Sequence, residues 1–239
     1  MSLSLATIST PNRTPDITFN QRFANVGKTR SGKSTFAVIL ADLLVPFKKK
    51  TGASDPQIWW MDTKHDPADL ERLQAWGYSD DKKTKCSHRI FHIYRDGDTK
   101  QWQNAQLLFA RAFATQGILV VVDEYRQCVP NTISPGDDLL DVFTRGGGLG
   151  IGIIGGTQEP VYVPRQLLSQ ASHQFFFDLS YPNDIKRIRE FYEMYDRPLK
   201  RGESNKHGFF HVAVDYDGYG AYYPHAKNWV ESNELMKAA

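Results

Sequence analysis

The feature that most constrains this chain is a short segment near its start, which reads GKTRSGKST from Gly27 to Thr35. It matches the pattern G-x-x-x-x-G-K-[ST], in which the two glycines allow the backbone to curl closely around phosphate groups. The apolar run that follows predicts a helix whose N-terminus points at the bound anion. The segment therefore predicts a phosphate-binding loop between a strand and a helix.

The roles within this loop follow from the chemistry of ATP with Mg²⁺. Lys33 is expected to reach the β- and γ-phosphates, and Ser34 is expected to ligate the Mg²⁺ ion. Arg30 is hypothesised to add positive charge near the phosphates of its own subunit. The residues predicted to contact the nucleotide are the whole segment: Gly27, Lys28, Thr29, Arg30, Ser31, Gly32, Lys33, Ser34 and Thr35.

A second motif is an aliphatic run followed by two carboxylates, which reads ILVVVDEY from Ile118 to Tyr125. A continuous β-branched run is typical of a parallel strand that is covered on both faces. Asp123 and Glu124 then fall at the carboxyl edge of the sheet, where ligands bind. Asp123 is predicted to hold Mg²⁺ through a water, and Glu124 to orient or deprotonate the attacking water. The alternative is a pair of solvated carboxylates at a strand end.

The third motif is a glycine-rich aliphatic strand that ends in a threonine and a glutamine, IGIIGGTQEP from Ile151 to Pro160. An amide side chain both donates and accepts hydrogen bonds. Gln158 is therefore predicted to sense whether the γ-phosphate is present. The alternative is a surface glutamine beside a proline turn.

Composition limits the possible classes of protein. The 239 residues, 41% of them hydrophobic, suffice for one α/β domain with a sizeable core. The net charge of +2 means that nucleic acid would have to be bound by local basic patches. Two separated cysteines and seven histidines without ligand spacing predict neither a disulfide framework nor a zinc site, and favour a reducing cytoplasm. The absence of a signal pattern or a membrane-spanning apolar run predicts a soluble protein.

Strand and helix patterns alternate along the chain, which predicts a mainly parallel sheet flanked by helices and joined by right-handed crossovers. An antiparallel hairpin around Asp217-Gly218 is expected near the C-terminus. The predicted divisions are an irregular arm (1–16), an ATPase core (17–200), and a hairpin and tail packed on that core (201–239). The predicted strands are 17–25, 57–62, 89–94, 118–122, 151–156 and 173–179. The predicted helices include 137–143, 183–195 and 33–45, the last of which is expected to end at Pro46. Residues 145–148 are predicted to form a mobile turn.

Taken together and in this order, the motifs resemble those of the FtsK/HerA superfamily of DNA-pumping ATPases. The segment MDTKHD, from Met61 to Asp66, is also similar to an acidic-then-lysine strand end of that superfamily. Two positions depart from the pattern, because the superfamily usually has glycine at Arg30 and often a basic residue at Glu159. The resemblance covers about Thr18 to Tyr195 and implies a RecA-like (ASCE) P-loop NTPase core.

The resemblance also implies a ring, commonly a hexamer, around double-stranded DNA, with each ATP bound between subunits. An arginine from the neighbouring subunit would complete the site. Arg145 best matches that position, with Arg165 and Arg187 as alternatives, although Arg145 is also a candidate for contacting DNA phosphates. Further candidates for DNA contact are the basic segments 48–50 and 82–85, and the adenine is expected near Tyr195 and Pro198.

Cellular members of the superfamily usually carry membrane anchors or DNA-reading domains, and no such part is recognisable here. The chain resembles the genome-packaging ATPases of tailless viruses with an internal membrane, which implies action at a packaging vertex of the virion and in the host cytoplasm. A capsid-vertex or membrane protein would be a partner. The alternatives are a plasmid-transfer or chromosomal DNA translocase, and a nucleotide-dependent assembly factor that never grips DNA. A small-molecule kinase is disfavoured, because the paired carboxylates and the glutamine are seldom needed there.

Overall fold

The structure is a computed structural model, and it describes residues 17–50, 56–81, 87–191, 207–214, 220–223 and 225–232. Several predictions lie outside these residues. They concern the N-terminal arm, the basic segment 82–85, the adenine site near Tyr195 and Pro198, and the turn at Asp217-Gly218. The side chains of 48–50 also lie outside the description.

Within the described residues, eight strands form one sheet in the order β3-β2-β4-β5-β1-β6-β7-β8. The first six are parallel to one another, and β7 and β8 pair in the antiparallel direction, which confirms the predicted α/β fold with a C-terminal hairpin. The strands are β1 (Arg22–Val26), β2 (Gln57–Asp62), β3 (His88–His92), β4 (Ile118–Val122), β5 (Gly152–Thr157), β6 (His173–Phe177), β7 (Phe209–Ala213) and β8 (Gly220–Tyr223).

Seven helices in the described part of the chain connect or cover these strands. None of them is both long enough and apolar enough to cross a membrane. They are α1 (Lys33–Lys50), α2 (Pro67–Ala75), α3 (Gln101–Thr115), α4 (Asp137–Arg145), α5 (Arg165–Ser169), α6 (Pro182–Arg189) and α7 (Ala226–Ser232), with short 3-10 helices at Tyr125–Gln127, Gly146–Leu149 and Pro160–Tyr162.

The register of the parallel strands places their carboxyl ends side by side. Val26 at the end of β1 pairs with Thr157 at the end of β5. Val122 at the end of β4 pairs with Gly155 of β5 and with Met61 of β2. The segments that follow β1, β2, β4 and β5 consequently emerge at one edge of the sheet.

Apolar side chains fill both faces of the sheet. On one face, Phe36 of α1 packs its ring 4.7 Å from those of Phe175 and Phe209 and 5.3 Å from that of Trp229. Each fully buried side chain of this size stabilises the fold by about 1.5–3 kcal/mol. On the other face, Tyr125 packs against Gly155, where an added Cβ would lie only 1.7 Å from the Tyr125 ring.

Some predicted boundaries are wrong. Helix α1 runs through Pro46 to Lys50. A proline removes only one helical hydrogen bond, and the buried face of α1 is fixed against the sheet by Phe36, Leu40 and Leu44. Strand β1 begins at Arg22, because residues 18–21 form a turn in which Thr18 N donates to the Gln21 side chain at 2.7 Å.

Two other boundaries differ near α4 and α6. The predicted turn at 145–148 consists of the last residue of α4 and a 3-10 helix over Gly146–Leu149. That 3-10 helix is held to the start of β1, because the Asn20 side chain donates to the Gly147 carbonyl at 2.9 Å. Helix α6 ends at Arg189, and the rest of its predicted range beyond 191 lies outside the described residues.

A pair of histidines is buried where β6 and β7 meet. His173 Nδ1 and His211 Nε2 are 3.1 Å apart, and the Trp229 indole donates to His211 Nδ1 at 3.3 Å. Burial, and secondarily His173, lowers the pKa of His211 well below its usual value of 6.5. The folded protein therefore keeps His211 neutral, whereas the unfolded chain protonates it as the pH falls through that value.

We expect the free energy of unfolding to decrease by about 1 kcal/mol or more as the pH falls from about 7.5 to about 5.5, because the unfolded state then binds the extra proton. The contribution of His211 is constant above that range. His211→Asn keeps an acceptor for the Trp229 indole and should flatten the pH dependence, measured by urea unfolding. The exposed His225→Asn is the control; an unchanged pH slope in His211→Asn would contradict this assignment.

Candidate nucleotide-binding site

The predicted phosphate loop lies between β1 and α1 and is anchored to both neighbours of β1. Gly27 N donates to the Thr157 carbonyl of β5 at 3.1 Å, and Lys28 N donates to the Asp178 carbonyl after β6 at 2.9 Å. The Lys28 ammonium also pairs with the Asp178 carboxylate at 2.8 Å. Gly27 and Lys28 thus fix the base of the loop, while the residues from Thr29 onward line a groove.

The two glycines of the loop have different physical roles. Gly32 has φ +100°, a conformation that side chains rarely adopt. Gly27 instead allows close approach, because a Cβ there would lie 2.5 Å from Phe177 Cβ. Arg30 has φ +60° without being a glycine, which gives a backbone reason for the glycine that the resembled superfamily usually has at this position.

The groove has a volume of about 470 Å³ and is lined by residues 29–35 together with Lys64, Asp66, Ala68, Asp69, Arg72 and Gln158. Lys33 is buried at its base, with Nζ donating to the Lys28 carbonyl at 2.8 Å. Burial, followed by the nearby Lys64, lowers the pKa of the Lys33 ammonium to about 8. An anion in the groove would relieve this desolvated charge, so the site suits a polyphosphate.

A hydroxyl and a carboxylate meet next to the loop. Ser34 Oγ donates to Asp123 Oδ1 at 2.7 Å. The other carboxylate oxygen of Asp123 pairs with the Lys64 ammonium. These are hard oxygen donors of the kind that bind Mg²⁺.

No sequence motif indicates a role for Lys64. Its segment MDTKHD carries a family resemblance, but only the adjacency of β2 and β4 shows that Lys64 lies against Asp123. His207 likewise covers Gly32, where an added Cβ would lie 3.1 Å from the His207 Nδ1 atom. No local sequence pattern indicated this contact.

Glu124 is buried beside Asp123 and is held by main-chain donors. Its Oε2 accepts from Gln158 N at 3.2 Å, and its Oε1 accepts from Arg126 N at 3.4 Å. Burial raises the pKa of the Glu124 carboxyl, opposed mainly by a hydrogen bond from the Thr157 side chain. A desolvated carboxylate with an elevated pKa is a better proton acceptor than a solvated one.

Gln158 connects the end of β5 to the phosphate loop. Its side-chain oxygen accepts a hydrogen bond from the Thr29 hydroxyl, while its main-chain N–H donates to Glu124. The structure thus brings Gln158, Lys33, Ser34, Asp123 and Glu124 to the same edge of the sheet.

The three candidate arginines do not line this groove. Arg145 ends α4 at the opposite edge of the sheet, where it pairs with Asp141 and lies 5.0 Å from the Phe113 ring. Arg165 stacks over Phe191 at 4.9 Å, as does Arg187 at 5.8 Å. Arg145 therefore does not reach the phosphate loop of its own subunit, and a role toward a neighbouring subunit stays a prediction.

Comparison with solved structures identifies the fold. The DNA-packaging ATPase B204 of Sulfolobus turreted icosahedral virus aligns with a TM-score of 0.60 and 18% identity, over 85% of this chain and 97% of that one. The genome-packaging NTPase B204 of Sulfolobus turreted icosahedral virus 2 in complex with AMPPCP aligns with a TM-score of 0.56 and 16% identity, over 85% and 96%. The predicted P-loop NTPase fold and its resemblance to packaging ATPases are confirmed at the level of fold.

Comparison at the level of sequence adds the family. No curated protein sequence matches the chain. A family profile described as zonular occludens toxin (Zot) matches residues 23–179, which span β1 to the end of β6 and contain the phosphate loop, the acidic pair and Gln158. Because this match covers more than half of the chain, the protein belongs to the zonular occludens toxin (Zot) family.

Proposed function

We propose that this protein hydrolyses ATP to move double-stranded DNA, and that it does so to package a viral genome into a preformed capsid. The observation that carries the proposal is the convergence of a cationic groove, the Ser34–Asp123 oxygen pair and the buried Glu124 at one sheet edge. The fold shared with packaging ATPases supports the choice of DNA as the cargo.

The groove supplies the charges that a triphosphate needs. Arg30, Lys33, Lys64 and Arg72 all line it, so four cationic side chains border the space where the phosphates would bind. Ser34 and Asp123 would hold Mg²⁺, which neutralises charge on the β- and γ-phosphates when it is bound. Lys64 already neutralises Asp123 and can therefore share its ammonium between that carboxylate and a phosphate oxygen.

Glu124 would accept the proton of the attacking water as the water oxygen bonds to the γ-phosphorus and the bond from that phosphorus to the β–γ bridging oxygen breaks, which releases ADP and phosphate. Its raised pKa favours the protonated carboxyl that results, and the main-chain donors of Arg126 and Gln158 keep the group oriented. The Gln158 side chain contacts the phosphate loop at Thr29, and its main-chain N–H donates to Glu124, the proposed general base. Through these two contacts Gln158 would couple binding of a nucleotide in the groove to the position of the Glu124 carboxylate.

Movement of DNA requires an oligomeric assembly and contacts from the protein to the DNA phosphates. We infer a ring, most simply a hexamer, in which Arg145 of one subunit completes the groove of the next or contacts the DNA backbone. Contacts to DNA would be to phosphates and independent of sequence. A capsid-vertex or membrane protein would anchor the ring, placing the protein at the virion vertex and in the host cytoplasm.

Arg30→Gly should separate stability from nucleotide affinity. The left-handed backbone at Arg30 destabilises the folded state by about 1–2 kcal/mol when the residue is not glycine. Glycine removes this strain, whereas its greater conformational freedom in the unfolded chain lowers the free energy of unfolding by only about 0.5–1 kcal/mol. Without nucleotide, the melting temperature should therefore hold or rise. The affinity for ATP should fall about tenfold, because a charge-assisted contact is removed.

Arg30→Lys keeps the charge and the strain and is the matched control for this substitution. Titration with a fluorescent ATP analogue and thermal melting measure the two effects. Wild-type affinity and hydrolysis in Arg30→Gly would remove Arg30 from the site.

Glu124→Gln should bind ATP within about threefold of the wild-type affinity and hydrolyse it about 10²- to 10⁴-fold more slowly, because the amide cannot accept the proton. Single-turnover hydrolysis and equilibrium binding measure the two properties. Glu159→Gln alters an exposed carboxylate on the same edge, paired with Arg126, and should hydrolyse ATP at nearly the wild-type rate. Unchanged turnover in Glu124→Gln would exclude it as the base.

Hydrolysis by the wild-type protein should be stimulated by double-stranded DNA of any sequence, and the stimulation should disappear at high salt. Phosphate contacts release counterions, so the affinity for DNA falls steeply as the salt concentration rises. Particle mass with ATP and DNA, measured in the same buffers, tests the ring. Hydrolysis that ignores DNA at every salt concentration would contradict the motor and favour the assembly factor.

A further inference from the structure

We propose that Asp62, His65 and His92 form a binding site for a divalent transition-metal ion such as Zn²⁺. Asp62 ends β2, His92 ends the adjacent β3, and His65 lies in the turn after β2. One ligand atom of each residue lies within 4.8 Å of the others, and all three side chains are partly buried. The histidines are 27 residues apart in the sequence (92 minus 65), so ligand spacing did not reveal the site.

The hydrogen bonding of His65 turns a lone pair toward the centre of the cluster. His65 Nε2 is 3.0 Å from the Ile93 carbonyl oxygen, and a carbonyl can only accept, so this nitrogen carries the hydrogen. In the neutral ring, Nδ1 is then an acceptor. It is buried without a hydrogen-bond partner and lies 3.4 Å from Asp62 Oδ2. Two acceptors that face each other are stabilised by a cation between them.

His92 has the arrangement expected of a second ligand. Its Nδ1 donates to Asp62 Oδ2 at 2.8 Å, so an ion bound between the two atoms would displace that proton, and its Nε2 lies 3.4 Å from the Asp80 carboxylate. Histidines that ligate metals usually donate their other N–H to a carboxylate or a carbonyl, which fixes the tautomer and the ring orientation. Asp80 would serve His92 in this way, and the Ile93 carbonyl would serve His65.

The backbone around the cluster is already arranged for binding. Asp62 Oδ1 accepts from Lys64 N at 3.2 Å and from His65 N at 2.9 Å, which leaves Oδ2 directed at the two imidazoles. His65 has φ +55°, a strained conformation for a residue other than glycine. Its ring stacks on Tyr94 at 4.1 Å, so the side chain is fixed by contacts on more than one side.

The donor set selects the class of ion. Two imidazole nitrogens and one carboxylate oxygen suit Zn²⁺ and related dications, whereas Mg²⁺ prefers oxygen ligands. The site is therefore distinct in chemistry from the Ser34–Asp123 pair. Since the same turn carries Lys64, a bound ion would also hold the residue that pairs with Asp123.

The test uses the full chain without a histidine tag, stripped with a chelator and kept in excess Mg²⁺. Zn²⁺ is titrated in competition with a chromophoric chelator, and Co²⁺ is used to record its visible absorption. We expect one ion per chain, with Co²⁺ displaced by Zn²⁺. Absence of saturable binding by the wild-type protein would overturn the proposal without recourse to any variant.

Substitutions locate the ion. His65→Gln or His92→Gln should each weaken Zn²⁺ binding more than about a hundredfold, and Asp80→Asn about tenfold, since loss of an outer partner costs about 10- to 100-fold. Asp123→Asn should leave Zn²⁺ affinity unchanged. Circular dichroism and melting in the absence of metal verify that each variant folds.

His88→Gln is the matched control, because His88 lies on the same strand, has similar exposure and lies 3.6 Å from the Asp42 carboxylate. It should keep the wild-type Zn²⁺ affinity. The proposal is overturned if His88→Gln weakens binding as much as His92→Gln, or if Asp123→Asn abolishes binding while the His65 and His92 variants retain it.

Discussion

The parallel pairing of β1 with β5, and of β5 with β4, is the constraint on which the site depends. It sets Val26 beside Thr157 and Val122 beside Gly155, so that the loop, the acidic pair and Gln158 begin at the same level of the sheet. Side chains alternate along a strand, so a slip of one residue would turn Asp123 or Glu124 to the wrong face. The glycines of β5 restrict this register, because an added Cβ at Gly155 would lie 1.7 Å from the Tyr125 ring and one at Gly156 would lie 2.5 Å from the Asp123 carbonyl oxygen.

Burial at this edge changes the proton affinities of two side chains of the candidate site. Lys33 and Glu124 are each about 6% exposed, and desolvation shifts their pKa values in opposite directions, downward for the ammonium and upward for the carboxyl. Each charged form is destabilised and gains most from a specific partner. For Lys33 an anion in the groove would be such a partner, and for Glu124 a proton would be. These two shifts are the ones that the proposed phosphate binding and water activation require.

The sequence predicted those parts of the site that depend on neighbours in the chain. The loop from Gly27 to Thr35 and the acidic pair after β4 are local patterns, because a strand end fixes which side chains reach the edge. Lys64 and the Asp62–His65–His92 cluster depend instead on β2 lying between β3 and β4, which no local pattern states. The prediction that Pro46 ends α1 is wrong for the same reason, since the packing of α1 on the sheet outweighs one missing hydrogen bond.

Two strained backbone positions lie at the same edge. Among the described residues, Arg30, His65 and Gln116 are the non-glycine residues with positive φ. Gln116, which follows the last residue of α3, has φ +60° and ψ +167°, a conformation that residues other than glycine rarely adopt, and it lies before the amino end of β4. Arg30 and His65 lie instead at the carboxyl edge of the sheet. Arg30 lines the groove and His65 follows Lys64 in the turn after β2, so these two residues lie on the two segments that bring cations to Asp123 and the phosphate loop.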